Sequence, residues 1–125
     1  MKKRILIVDD SPAILDVMKL ALEMVDCEVY TSLTGACLQQ LERNLPHLIL
    51  LDVLLSGEDG GEICRRLKSD DLTRHIPVIL ISAHIGLCQT AADCGADDFL
   101  IKPFRLTELR EMVKKYLALP SSTPM

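Results

Sequence analysis

Five polar residues stand where the chain is otherwise most apolar, and their types suit phosphoryl chemistry. Asp9 and Asp10 end the run Ile5 to Val8, Asp52 ends Leu48 to Leu51, Ser82 ends Pro77 to Ile81, and Lys102 follows Phe99 to Ile101. Carboxylates crowded together repel, and a divalent cation relieves that repulsion. Oxygen-only donors suit Mg2+, which commonly takes one or two carboxylates together with waters and a substrate phosphate. A carboxylate placed like Asp52 can attack phosphorus and form an acyl phosphate, provided that a cation and a hydroxyl hold the remaining phosphoryl oxygens. Lys102 and Ser82 are groups of that kind. The plainer alternative for Asp9 and Asp10 is that they cap the next helix, a place where Asp is favoured.

These residues need elements that bring them together. Apolar runs of strand length alternate with stretches of helical period, the pattern of βα units around a parallel sheet. Strands are expected at Ile5 to Val8, Val29 to Thr31, Leu48 to Leu51, Pro77 to Ile81 and Phe99 to Ile101. The first helix starts at Ser11-Pro12, an N-cap followed by proline in the first turn, and puts Ile14, Met18, Ala21, Leu22 and Val25 on one face. Cys37, Leu38, Leu41 and Leu45 line a second helix that Pro46 ends. After a glycine-containing loop, Ser56 to Gly61, a third helix turns Ile63, Cys64 and Leu67 inward. A fourth runs from about Gly86 to a stop at Gly95, and the last faces inward with Leu106, Leu109, Val113, Tyr116 and Leu117. Ligands of an open parallel sheet bind beyond the carboxyl ends of its strands, which is where the five polar residues fall.

Composition narrows the function classes. The chain has 125 residues, 49% of them apolar and 26% charged, which describes one ordinary domain and not a disordered segment. A formal net charge of -4 argues against direct nucleic-acid binding, which relies on Lys and Arg, and the 3% aromatic content offers few stacking platforms. The five cysteines form no CxxC and read as reduced, mostly buried thiols of a cytoplasmic protein. Met1 to Arg4 and the run after it imitate a signal peptide until Asp9-Asp10 stops them, and no stretch is long enough to span a membrane. The P-loop, dinucleotide and GxSxG motifs are absent. His47, His75 and His84 lack a clear metal spacing, and of these only His84 falls near the proposed site.

The set Asp9-Asp10, Asp52, Ser82 and Lys102-Pro103, in this order on these strand ends, resembles the receiver domain of two-component response regulators, the CheY-like family. The resemblance covers residues 3–118. It implies a flavodoxin-like α/β fold, a doubly wound five-stranded parallel sheet of order 2-1-3-4-5. It also implies that Asp52 accepts a phosphoryl group from a histidine kinase or histidine phosphotransfer protein. Mg2+ would be held by Asp9, Asp10, Asp52 and the backbone carbonyl of Leu54. Lys102 would pair with Asp52 and then with the phosphoryl group, and Ser82 would hydrogen-bond a phosphoryl oxygen. Phe99 takes the place of the aromatic switch residue, turning inward as Ser82 moves and altering the face of the fourth helix, fifth strand and fifth helix. That face would meet an output partner of unknown identity or a second copy in a dimer. The Lys102-Pro103 bond is expected to be cis.

Where many receivers carry proline four residues after the phosphorylated Asp, this chain has Ser56, which puts the rigidity of that loop in question. Leu54 and His84 occupy the positions that govern water access to the acyl phosphate, and Leu54 cannot orient a water. Residues 1–118 are expected to form the receiver and 119–125 a flexible tail or the start of a linker, with output supplied by another chain or a part not present. The chain is not expected to be a turnover enzyme. Two other readings are an interaction module that keeps the fold without phosphate, and a small phosphatase or phosphotransferase. The latter usually carries its nucleophile in a DxD arrangement after the first strand, which the adjacent Asp9-Asp10 does not form.

Overall fold

Runs rich in Ile, Leu and Val build a five-stranded, all-parallel sheet in a computed structural model whose described residues are 2–36, 45–55, 57–83 and 86–118. In chain order the elements are β1 (Lys3–Val8), α1 (Pro12–Leu22), β2 (Cys27–Ser32), β3 (Leu48–Asp52), a short antiparallel ribbon of β4 (Leu54–Leu55) and β5 (Glu58–Asp59), α2 (Gly60–Ser69), β6 (Val78–Ser82), α3 (Leu87–Cys94), β7 (Asp98–Ile101) and α4 (Leu106–Leu117). The sheet order β2-β1-β3-β6-β7 is the expected 2-1-3-4-5 once the ribbon is set aside. The second helix, expected over Cys37, Leu38 and Leu41, lies outside the described residues, whereas Leu45 packs against the core.

The two central strands β3 and β6 are buried at every residue, as strands covered on both faces must be. Successive side chains alternate across the sheet, so each strand feeds two cores. Ile5, Ile7, Leu48, Leu50, Ile79 and Ile81 meet Leu15, Met18 and Leu22 of α1 and Leu109 and Val113 of α4. Leu6, Val8, Ile49, Leu51, Val78 and Leu80 meet Cys64 and Leu67 of α2 and Leu87, Ala91 and Cys94 of α3. Each fully buried aliphatic side chain contributes about 1.5–3 kcal/mol relative to exposure, so these rows dominate the stability.

The helix ends follow the local chemistry. Ser11 Oγ accepts from Ile14 N at 3.4 Å with Pro12 opening α1, and Gly95 ends α3 at φ 81°, the left-handed conformation that glycine adopts without strain. Three expectations need correction. Leu15 joins the buried face of α1, and Leu106 is exposed because it lines an open hollow between α1 and Lys102 to Phe104. The cysteines also divide: Cys64 and Cys94 are buried, Cys27 is half-buried, Cys88 is exposed, and Cys37 lies outside the described residues.

At the opposite edge of the sheet from the carboxyl ends, Arg4 N donates to His47 Nδ1 at 2.9 Å while His47 N donates to Arg4 O at 2.8 Å. A ring nitrogen that accepts must be unprotonated. Burial, and then the positive charges of Arg4 and Lys3, hold the His47 imidazole below its ordinary pKa. The unfolded chain therefore takes up a proton that the folded chain refuses. Stability is lost as pH falls below the ordinary histidine value and on through the lower folded one. From about pH 7 to about pH 5 the wild-type chain should lose more Tm than His47→Gln, whose side chain keeps an acceptor without titrating there. Equal losses in thermal melts would remove His47 from this account.

Candidate functional site

The sheet ladder continues past the strand ends and so aims the polar residues. Asp9 N donates to Ser32 O at 3.1 Å and Lys102 N to Ser82 O at 3.0 Å, which extends the pleat by one residue on β1 and β7. Asp9 then follows Ile5 and Ile7, Asp52 follows Leu48 and Leu50, and Lys102 follows Leu100, all on the α1/α4 side. Strands β1 and β3 are neighbours with Ile7 opposite Leu50, so the next residues on that side, Asp9 and Asp52, meet. Ser82 and Phe99 have the other parity. Phe99 is half-buried against the α2/α3 core beside its register partner Leu80, and buried Ser82 ends β6 two residues further on.

Asp9 and Asp52 are only 2% and 5% exposed, which makes their shared charge the dominant feature of the site. Asp10, more open to solvent, completes a group of three carboxylates whose ligand oxygens lie within 4.8 Å of one another. Lys102 Nζ stands 3.0 Å from Asp9 Oδ2 and 3.7 Å from Asp52 Oδ1. Asp9 Oδ1 accepts from Ser11 N at 2.9 Å, so it also helps turn the chain into α1. Asp52 Oδ1 faces Leu54 N at 3.4 Å. Burial, and then the Asp9 charge, push the Asp52 carboxyl above its ordinary pKa against the opposing pull of Lys102 and the Leu54 amide. Three carboxylates against one ammonium leave an excess of negative charge. An all-oxygen donor set with that excess fits a hard divalent cation.

The loop after Asp52 is supported from below by a residue that sequence reasoning passed over. Gly60 N donates to Val53 O at 2.8 Å, and a Cβ built on Gly60 would sit 2.1 Å from Asp52 O and 2.7 Å from Val53 Cα. Only glycine lets α2 begin this close to the backbone of Asp52. Asp59, immediately before it, caps α2 by accepting from Gly61 N at 2.8 Å. The signal was the Gly60-Gly61 pair after an Asp, but the sequence could not say which backbone it approaches. The expected plain loop from Ser56 is instead the β4/β5 ribbon, with Ser56 itself outside the described residues.

The structure therefore brings Asp9, Asp10, Asp52 and Lys102 together and puts Ser82 at the end of the strand between β3 and β7. Leu54 is 64% exposed at the mouth, and the Lys102-Pro103 bond is cis. His84 lies outside the described residues. Among the described residues no helix is long and apolar enough to cross a membrane.

Residues 5–114 match the profile of the response regulator receiver domain. The DNA-binding dual master transcriptional regulator RpaA of Synechocystis sp. is 42% identical over 118 residues, covering 91% of this chain and 48% of that protein. Response regulator PleD of Caulobacter vibrioides is 44% identical over 106 residues, covering 82% of this chain and 23% of that protein. The chain thus spans about half of one relative and about a quarter of the other. The crystal structure of a CheY-like response regulator receiver domain protein from Methanospirillum hungatei JF-1 superposes with a TM-score of 0.83 at 32% identity, covering 94% of each chain.

Two variants test this geometry. Because the folded Asp52 resists ionisation, stability falls as pH rises from the ordinary carboxylate value through the raised one, and the penalty is complete above it. Asp52→Asn should raise Tm by a few degrees at neutral pH in metal-free buffer, and a lower Tm would contradict the repulsion described here. Gly60→Ala should lose about 1–3 kcal/mol or more in urea denaturation, because its Cβ must displace backbone. A loss well below that range would show that the loop can yield.

Proposed function

The chain belongs to the response regulator receiver family, and from that membership we propose that Asp52 is its phosphoacceptor. Receiver domains are phosphoacceptor signalling modules that work with histidine kinases, so the donor is the phosphohistidine of a kinase or of a histidine phosphotransfer protein. The observation that carries the reading is the buried Asp52 carboxylate, beside Asp9 and 3.7 Å from Lys102 Nζ.

A carboxylate oxygen of Asp52 attacks phosphorus, the bond from phosphorus to the imidazole nitrogen breaks, and that nitrogen is protonated as it leaves. The pocket suits this step because Asp52 is held at a fixed position by the Leu54 amide and the Gly60 contact, and positioning supplies much of phosphoryl transfer. Mg2+ bound by Asp9, Asp10, Asp52 and the Leu54 carbonyl would supply the positive charge that the phosphoryl oxygens require. Lys102, already shared between Asp9 and Asp52, follows the new negative charge as Asp52 becomes an acyl phosphate. The hydroxyl of Ser82 donates to a phosphoryl oxygen.

Ser82 and Phe99 lie on the same side of neighbouring strands, which supports coupling between them. A hydroxyl drawn toward phosphate leaves room near Leu80 for the Phe99 ring, and the face of α3, β7 and α4 changes with it. Ile101 stands 54% exposed on that face, as a contact with an output partner or a second copy requires. Residues 1–118 act as the receiver unit, in the cytoplasm. The chain turns over only its own phosphoryl group.

Incubation with a small acyl phosphate or phosphoramidate and Mg2+ should add the mass of one phosphoryl group. The gain should disappear with a chelator or with Asp52→Asn. No gain in the wild-type chain would leave an interaction module that keeps the fold without phosphate. With apolar Leu54 at the mouth, the label should be lost slowly. Rapid loss that persists in His84→Ala would remove Leu54 from the account.

A further inference from the structure

A ribbon of two residues per strand is too short to hold itself in place, so β4 and β5 depend on tertiary contacts. The contacts at Asp59 and Gly60 fix its α2 side. On the other side, Glu58 Oε1 accepts from Gly35 N, in the segment after β2, at 2.9 Å. A Cβ on Gly35 would lie 2.9 Å from Glu58 Oε2 and 2.6 Å from Ile63 Cδ1, so the ends of both side chains pack against the Gly35 backbone. Glu58 pairs with Leu55 in the ribbon, next to Leu54, whose N lies 3.4 Å from Asp52 Oδ1.

We propose that Glu58 is a positioning residue of the phosphoacceptor site: its carboxylate, anchored on Gly35 N, fixes the ribbon and with it the Leu54 backbone beside Asp52. The inference rests on the reading of Asp52 as phosphoacceptor. Glu58 touches none of the reacting atoms. Its effect passes through the Leu54 amide, which steadies the Asp52 carboxylate, and through the Leu54 carbonyl, which would face Mg2+. A hydrogen bond to an ionised group is among the stronger single contacts in a protein, and its loss frees the ribbon on the β2 side.

The test compares Glu58→Met, which keeps length but has no comparable acceptor, with Glu58→Gln, which keeps an acceptor without charge. Calorimetric Mg2+ titration and the initial rate of labelling by a small acyl phosphate at saturating Mg2+ are the readouts. Glu58→Met should weaken Mg2+ binding and slow labelling, each by roughly three- to tenfold, while Glu58→Gln stays within about twofold of wild type. A Met variant that lowers only Tm and keeps wild-type metal affinity and labelling rate overturns the inference. Should Glu58→Met not fold, Glu58→Ala, which removes the acceptor without adding bulk, is measured with the same expectations. A wild-type chain that takes no label sinks the Asp52 reading instead, and the Mg2+ titration then judges Glu58.

Discussion

Asp9 and Asp52 share a nearly dry pocket at the ends of adjacent strands, and two carboxylates desolvated together oppose each other's ionisation. Lys102 stands between them and offsets part of that repulsion, but one ammonium cannot balance three carboxylates. The remaining negative excess is what a divalent cation answers, while burial, and then the Asp9 charge, raises the Asp52 pKa. The buried aliphatic rows on both faces of the sheet oppose this local cost.

The pleat then divides the labour. Because successive side chains alternate, one face of the sheet carries Asp9, Asp52 and Lys102 beyond the α1/α4 core, while Ser82 and Phe99 belong with the α2/α3 core. The acidic cluster and the residues read as its switch are therefore a strand apart yet on opposite sides of the sheet. Ser82 ends the strand between Asp52 on β3 and Phe99 on β7, on the side of the α2/α3 core.

Glycine sets the other constraint. The backbone of Asp52 and Val53 lies where a side chain on Gly60 would be, whereas Gly35 meets the side-chain ends of Glu58 and Ile63. The backbone approach at Gly60 holds the loop after Asp52 by contact distance, with Asp59 capping α2 at the same corner. The chain has Ser56 where many receivers carry proline, and the observed supports lie elsewhere in the loop: the ribbon, the Gly60 contact and the Glu58 hydrogen bond.

Much was legible from residue order. Apolar runs ending in Asp, Ser and Lys announced strands with a polar edge, because a buried strand can turn charged only where it leaves the core. Ser11-Pro12 and Gly95 marked helix ends through chemistry that acts within a few residues. What local chemistry could not reach was anything that depends on approach between distant segments: the ribbon after Val53, the burial of Leu15, the exposure of Leu106 and Cys88, and the contacts of Gly60 and Glu58. The sequence by itself determined that the polar residues gather at the carboxyl ends of the strands and the kind of chemistry they support, since both follow from residue types and spacing along one chain. Only the tertiary structure decided which strands are neighbours and on which side of the sheet each polar residue falls, that Lys102 reaches both Asp9 and Asp52, and that Gly60 packs against the backbone after Asp52, because through-space distances between segments are not encoded in any local period.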